Sequence, residues 1–273
     1  MKIITMATLK GGAGKTMNTF NIAGILAENH KVLLIDVDPQ CNLSSDCGID
    51  VAEVEILTIR DIFEKYSYNE QPKAQDVIVK GPIEELPNLD IIPSSILLFE
   101  VEEKITLLEG RSFILKNFFK RNKEYLNRYD YVLIDTNPSM SVFNINACYI
   151  ADSIIISSDV SSNSINGAEL FCSLWDAKRN QINQTADTPK EDNIAALIIG
   201  NYDKRTNLSK ELIDYVHTSE FSKDMVLETL IPSTVKLKDT EVDHKPINIR
   251  HPKENVRSYY DNIISELLER GVL

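Results

Sequence analysis

Short apolar runs recur along the chain, most of them closed by a carboxylate, an asparagine or a glycine. Residues 1–8, 31–36, 88–95, 129–135, 153–157, 193–201 and 227–231 read as strands on this pattern. Several of them are apolar throughout rather than alternating, which is the mark of a strand covered on both faces in a parallel sheet. Between them, the 3.6-residue period predicts helices over 15–29, 57–65, 97–108, 112–127, 165–182 and 256–270. Phe20, Ile22, Ile25 and Leu26 form the core stripe of the first. Tyr259, Ile263, Leu267 and Leu268 form that of the last, whose other face carries Asp261, Glu266 and Glu269. Residues 66–82 are polar with two prolines and read as a surface excursion; residues 183–192 read as a loop. Strand alternating with helix predicts an α/β fold, a doubly wound, mostly parallel sheet with helices on both faces, in one domain spanning 1–273.

Composition narrows the setting. At 273 residues, 43% apolar and 26% charged, the chain suits a soluble globular protein. No apolar run is long enough to span a bilayer, and the first residues enter a strand and reach Lys10 too soon for a signal peptide, so the expected location is cytoplasmic. The acidic last helix lacks the basic face of a membrane-surface anchor, and no membrane contact is expected. Cys41, Cys47, Cys148 and Cys172 form no C-x-x-C pair and read as reduced thiols. The net charge of −12 excludes a generally sticky nucleic-acid coat, so any DNA contact needs a local patch. Two stretches offer one: Lys116, Lys120, Arg121, Lys123 and Arg128 on a helix face that reads as solvated, and residues 236–257, with six lysines and arginines against four acids.

The chemistry centres on Lys10-Gly11-Gly12-Ala13-Gly14-Lys15-Thr16, set between the first strand and the helix that begins near Met17. Glycines there let backbone N–H groups turn inward around an anion, and the helix presents its positive end to it. In such a phosphate cradle Lys15 reaches the β and γ phosphates of a nucleotide and Thr16 holds Mg²⁺. Two strands end in carboxylates beside this turn, in Asp36-Val37-Asp38 and at Asp135, and ligands of open α/β sheets sit at those strand ends. Asp135, after the apolar run 129–134, is the candidate for positioning the cation. Asn201, closing another strand, offers both a donor and an acceptor to a purine edge.

The glycine turn departs from G-x-x-x-x-G-K-[ST], with Leu9 at the first glycine and a second lysine at Lys10. This variant resembles the deviant Walker A motif of the ParA/MinD family of dimerising P-loop ATPases. Asp36-Val37-Asp38-Pro39-Gln40-Cys41-Asn42 is similar to that family's D-x-D-P-Q-G-N, with Cys41 for glycine. Thr136-Asn137-Pro138-Ser139 resembles its T-P-P-S, with Asn137 for a proline. The loop at Tyr202-Asp203-Lys204-Arg205-Thr206-Asn207 and the stretch Ile231-Pro232-Ser233-Thr234-Val235-Lys236-Leu237 also match, the latter with Ser233 where arginine is common. Family members often carry proline and glutamate where this chain has Ser158-Asp159-Val160-Ser161.

The resemblance implies roles. Asp36 assists the Mg²⁺ shell, Asp38 orients the attacking water, the backbone beside Pro232 walls the base pocket, and Lys10 reaches across a homodimer to the partner's nucleotide. ATP and Mg²⁺ are the implied cofactors, with slow basal hydrolysis. The implied function is a ParA-type partition ATPase whose ATP dimer binds non-specific DNA on the nucleoid and is stimulated by a centromere-binding, ParB-type adaptor. Other classes share the motif: a MinD-like ATPase acting on a membrane, a ParA-like positioner of a protein cargo, and a redox protein like the nitrogenase iron protein. The last needs cluster-ligating cysteines flanking the cleft.

Overall fold

A computed structural model describes residues 1–53, 55–68, 70–203 and 205–273. Seven strands form one sheet: β1 Lys2–Ala7, β2 Val32–Asp36, β3 Val79–Lys80, β4 Leu89–Ile92, β5 Tyr131–Asp135, β6 Ser153–Asp159 and β7 Ile194–Gly200. Their order is β3-β4-β2-β5-β1-β6-β7, and every pairing is parallel except that of β3 with β4. The doubly wound α/β sheet expected from the sequence is what forms.

Alternation along each strand assigns the layers. Ile4 and Met6 of β1 pack with Leu34, Leu133 and Ile155 under the helices Lys15–Leu26 and Asn255–Glu269. Ile3, Leu33, Ile35, Val132 and Ile134 face the other way, onto the helices Ile59–Glu64, Leu98–Ile105 and Ile114–Arg121. A third cluster, around Trp175 and Phe171 of the helix Ser162–Asn183, covers β6 and β7. Thr5, the one polar side chain within β1 apart from its first residue, donates to Ala147 O at 2.9 Å.

Four expectations need correction. Residues 227–231 form no ladder strand; they touch the sheet through Leu227 N to Leu197 O and Ile231 N to Ile199 O, both at 3.0 Å, between the bridges Leu197–Val226 and Tyr202–Pro232. The Glu266 carboxylate accepts from Glu228 N at 2.8 Å and Thr229 N at 2.9 Å, drawing that backbone to the last helix. The 112–127 helix breaks at Asn122, whose side chain accepts from Ala74 N at 2.8 Å. Residues 66–82 are more than an excursion, since Ala74 and Val77 are buried in a short helix and β3 adds an antiparallel edge; Asn69 lies outside the described residues. On the last helix the buried stripe is Val256, Tyr260, Ile263, Ile264 and Leu267, while Leu268 is exposed.

Candidate active site

The glycine turn takes the shape its sequence requires. Gly12 and Gly14 have φ of 78° and 82°, in the left-handed region where a side chain is strained. No side chain caps the helix Lys15–Leu26, so the N–H groups of its first turn and of the glycine turn remain for an anion.

Strand register gathers the carboxylates. β1 pairs Met6 with Asp135, and β2 pairs Asp36 with Asp135, so three strand ends finish level beside the turn. Thr16 Oγ1 donates to Asp135 Oδ2 at 2.6 Å, and Thr19 Oγ1 lies 3.4 Å from Oδ1. Asp36 and Asp135 are fully buried, and burial raises both carboxyl pKa values; the charge of Asp135 adds to the rise at Asp36, while Lys15 opposes it at Asp135. Burial lowers the Lys15 pKa, against the charges of Asp135 and Asp38. A divalent cation at Thr16 suits this crowding of acids, because it favours their ionised forms.

Asp36 is turned inward. Its Oδ2 accepts from Ser44 N at 2.9 Å and Ser44 Oγ at 2.7 Å, and its Oδ1 from Asp38 N at 3.0 Å. These bonds anchor the loop that carries Asp38. Ser94 Oγ donates to Asp38 O at 2.6 Å and Gln40 N to Asp38 Oδ1 at 2.9 Å, leaving Asp38 Oδ2 without a partner among the described residues. Cys41 sits at φ 57°, the conformation a glycine would take freely, so the loop keeps its path under strain. Burial pushes its thiol up to about 12, which makes it unreactive.

Two adjoining cavities meet at the cradle. One, of about 460 Å³, is lined by residues 11–17, Asp38 and Pro138, with Asp46 and Glu241 also facing it. The other, of about 320 Å³, shares Gly12, Ala13, Gly14 and Met17 and is closed by Asn18, Asn201, Pro232 and Tyr260. The first has the Lys15 cation and the N–H donors of a phosphate site; the second has more apolar than polar wall with several polar groups set into it, as a base pocket does. Asn201 is held at φ 54°, which asparagine tolerates. Tyr260 donates to Asn18 Oδ1 at 3.0 Å, tying the last helix to the pocket floor. Lys204 lies outside the described residues.

Lys10 faces neither cavity. Its Nζ donates to Asp159 Oδ2 at 2.9 Å, Asp159 Oδ1 at 3.2 Å and Ser161 Oγ at 2.8 Å, using all three ammonium protons within its own chain. The proposed basic stretch is largely neutralised: Lys236 pairs with Glu254, Lys245 with Glu85, Arg250 with Asp243 and Arg257 with Glu28. On the other face Lys116 lies over the rings of Phe113 and Tyr149, and Arg128 stacks on Tyr125.

The sequence reading missed Thr19, Ser44, Ser94, Asp46 and Asn18. Thr19 and Asn18 had a local signal, within one turn of Lys15 on the same helix. Ser44 and Asp46 lie on the short helix after β2 and Ser94 on the loop after β4, outside the motifs.

A family model described as an AAA domain matches residues 1–187. Soj of Bacillus subtilis, a sporulation initiation inhibitor protein, is 30% identical over 99% of this chain and 99% of its own. The chain belongs to the ParA/Soj family of partition ATPases. The chromosome partitioning protein ParA of Caulobacter vibrioides is 28% identical over 99% of this chain and 95% of its own. A crystal structure of a plasmid partition protein from Borrelia burgdorferi bound to AMPPNP superposes with a TM-score of 0.76, at 26% identity and 98% coverage of both chains. This ParA/Soj-family chain is accordingly an ATPase.

Proposed function

We propose that the chain, as one domain, binds MgATP across the two cavities, dimerises around it and uses the cycle to partition DNA. The observation that carries this reading is the union of the uncapped glycine turn with the Thr16–Asp135 bond at one sheet edge. Gly11, Gly12, Ala13, Gly14, Lys15, Thr16 and Met17 hold the phosphates, and Asn201 with the Pro232 backbone holds the adenine. Thr16 and Asp135, joined by their hydrogen bond, would hold the cation, and Asp36 would support it through the Asp38 loop. The cation, when bound, neutralises charge on the triphosphate. Asp38 Oδ2 orients the attacking water, and Lys15 stabilises the charge that develops on transfer. Lys10 exchanges its bonds to Asp159 and Ser161 for the partner's nucleotide, joining two subunits face to face.

The dimer binds non-specific DNA on the nucleoid in the cytoplasm, and a centromere-binding, ParB-type adaptor stimulates hydrolysis from a slow basal rate. The names and the bound analogue of the relatives support this cycle. With four cations of residues 236–257 in ion pairs, the DNA surface is weak in one subunit, and dimerisation adds the second copy of what remains, including Lys238. No helix among the described residues is long and apolar enough to cross a membrane.

The test is binding to random duplex DNA with ADP, ATP or a non-hydrolysable analogue, at two salt concentrations, for wild type and Lys10→Ala. Binding that requires ATP, falls steeply with salt and is lost in the variant is the expected outcome. A wild-type dimer that binds no DNA under any nucleotide would overturn the DNA step and move the search to a protein cargo or membrane.

A further inference from the structure

Asp135 leads into Thr136-Asn137-Pro138-Ser139, and Pro138 lines the phosphate cavity opposite Lys15 and Asp38. Such a loop must hold a definite shape to place its backbone against a γ phosphate. Its start is fixed, because Thr136 Oγ1 donates to Met6 O at 2.8 Å. Its middle has no covalent restraint at 137, where the resembled family has proline.

Asn144 supplies a restraint from outside the loop. It is 1% exposed, in the first turn of the helix Val142–Ile150, with its backbone N–H capped by Ser141 Oγ. Its amide Nδ2 donates to Asn137 O at 2.8 Å and to Ser139 O at 2.7 Å. Both acceptors are carbonyls, so only the NH₂ group can face them, and the orientation of the amide is fixed by chemistry. Both its protons are spent on one three-residue stretch that spans Pro138. The Asn144 Oδ1 atom is left buried with no partner among the described residues. An orphaned buried carbonyl costs stability, so the two donor contacts, not the side chain as a whole, are what the site uses. Inside the loop, Ser139 N donates to Asn137 O at 2.9 Å and Ser139 Oγ to Asn137 Oδ1 at 2.6 Å, completing a closed turn.

We propose that Asn144 is a positioning residue for ATP hydrolysis: its amide holds the 137–139 loop against the γ-phosphate site, doing by two hydrogen bonds what a proline at 137 would do by ring closure. Asn144 touches no nucleotide. Its effect passes through Pro138, the loop residue that lines the phosphate cavity, and on the proposed site reaches the γ phosphate. The inference rests on the triphosphate site proposed above.

The test compares wild type, Asn144→Ala, the isosteric Asn144→Asp and Asn137→Pro/Asn144→Ala. Each is read by single-turnover ATP hydrolysis, by ADP affinity and by thermal melting. Asn144→Ala and Asn144→Asp are expected to slow hydrolysis at least tenfold while ADP affinity stays within about twofold. Asn144→Asp goes further because it turns two donors into acceptors facing carbonyls. The Asn137→Pro double variant is expected to recover most of the rate lost in Asn144→Ala. Hydrolysis within twofold of wild type in Asn144→Ala overturns the proposal. So do parallel losses of hydrolysis and ADP affinity, or absence of rescue by the proline. If Asn144→Ala does not fold, Asn144→Asp decides by the same criteria. Failure of wild type to bind ADP would instead overturn the nucleotide reading itself, and this inference with it.

Discussion

Asp46 carries an electrostatic cost at the wall of the phosphate cavity. It is 8% exposed, and burial, then the charges of Glu241 and Asp135, raise its carboxyl to about 7. In the unfolded chain an aspartate titrates near its ordinary value, about 3.9. Below that pH the group is protonated in both states and the native stability it allows is fully present. As pH rises from about 4 to about 7 the unfolded chain gives up its proton first, and stability is lost across that window. Nucleotide-free Asp46→Asn is expected to be more stable than wild type at pH 8, by about 2–4 kcal/mol, with the difference vanishing near pH 4. Urea melts at the two pH values check it; equal curves at pH 8 would show that burial does not raise this carboxyl's pKa in the native protein.

Among elements, the tightest approach is between the helix Lys15–Leu26 and the loop ahead of Ile247. A Cβ on Gly24 would lie 2.5 Å from both Cβ and Cγ of Pro246, a ring that cannot swing aside. Asn248 Nδ2 donates to Gly24 O at 3.0 Å, and Asn21 Oδ1 accepts from Ile247 N at 2.7 Å, so the loop is pinned from both sides. Gly24→Ala gains about 1 kcal/mol of helix propensity yet is expected to destabilise by about 1–3 kcal/mol net through overpacking. A denaturant midpoint at or above that of wild type would refute the close contact. From sequence Gly24 reads as a residue that weakens its helix and allows close packing, but the partner it admits, Pro246, lies more than two hundred residues on.

The same contrast runs through the fold. The strands bearing the site were legible because buried parallel strands are uniformly apolar and end where the polar site begins, as at Asp36 and Asp135. The helix Val142–Ile150 was not, because Val142 through Tyr149 are all buried and leave no polar face to set a period. Residues 227–231 misled for the opposite reason: they have the composition of a strand, and Glu266 takes the N–H groups of Glu228 and Thr229. Lys15, Thr16, Asp38 and Asn201 were legible as candidate site residues because a local motif carries each one. Ser44, Ser94 and Asn144 were hidden because each holds a motif loop from outside it, by hydrogen bonds that no local pattern marks.

At the scale of the whole molecule, the proposed dimer turns on Lys10. On the proposed cycle each Lys10 must leave Asp159 and Ser161 before it crosses to the other subunit. Asp159→Ala, which removes two of the three acceptors, is expected to tighten ATP-dependent self-association, measured by sedimentation against concentration. Weaker or unchanged association would show that the pairing opposes nothing.

Because the assembly contains two such lysines, the hindrance counts twice. A subunit with Lys10 free for one-tenth of the time contributes a tenfold handicap, and two contribute about a hundredfold in the apparent dimer dissociation constant. On the proposed cycle the order of assembly is unchanged, second in subunit density, but the density at which subunits pair rises about a hundredfold. Sparse, ATP-loaded subunits would then stay solitary, with pairing confined to places where the protein is already crowded.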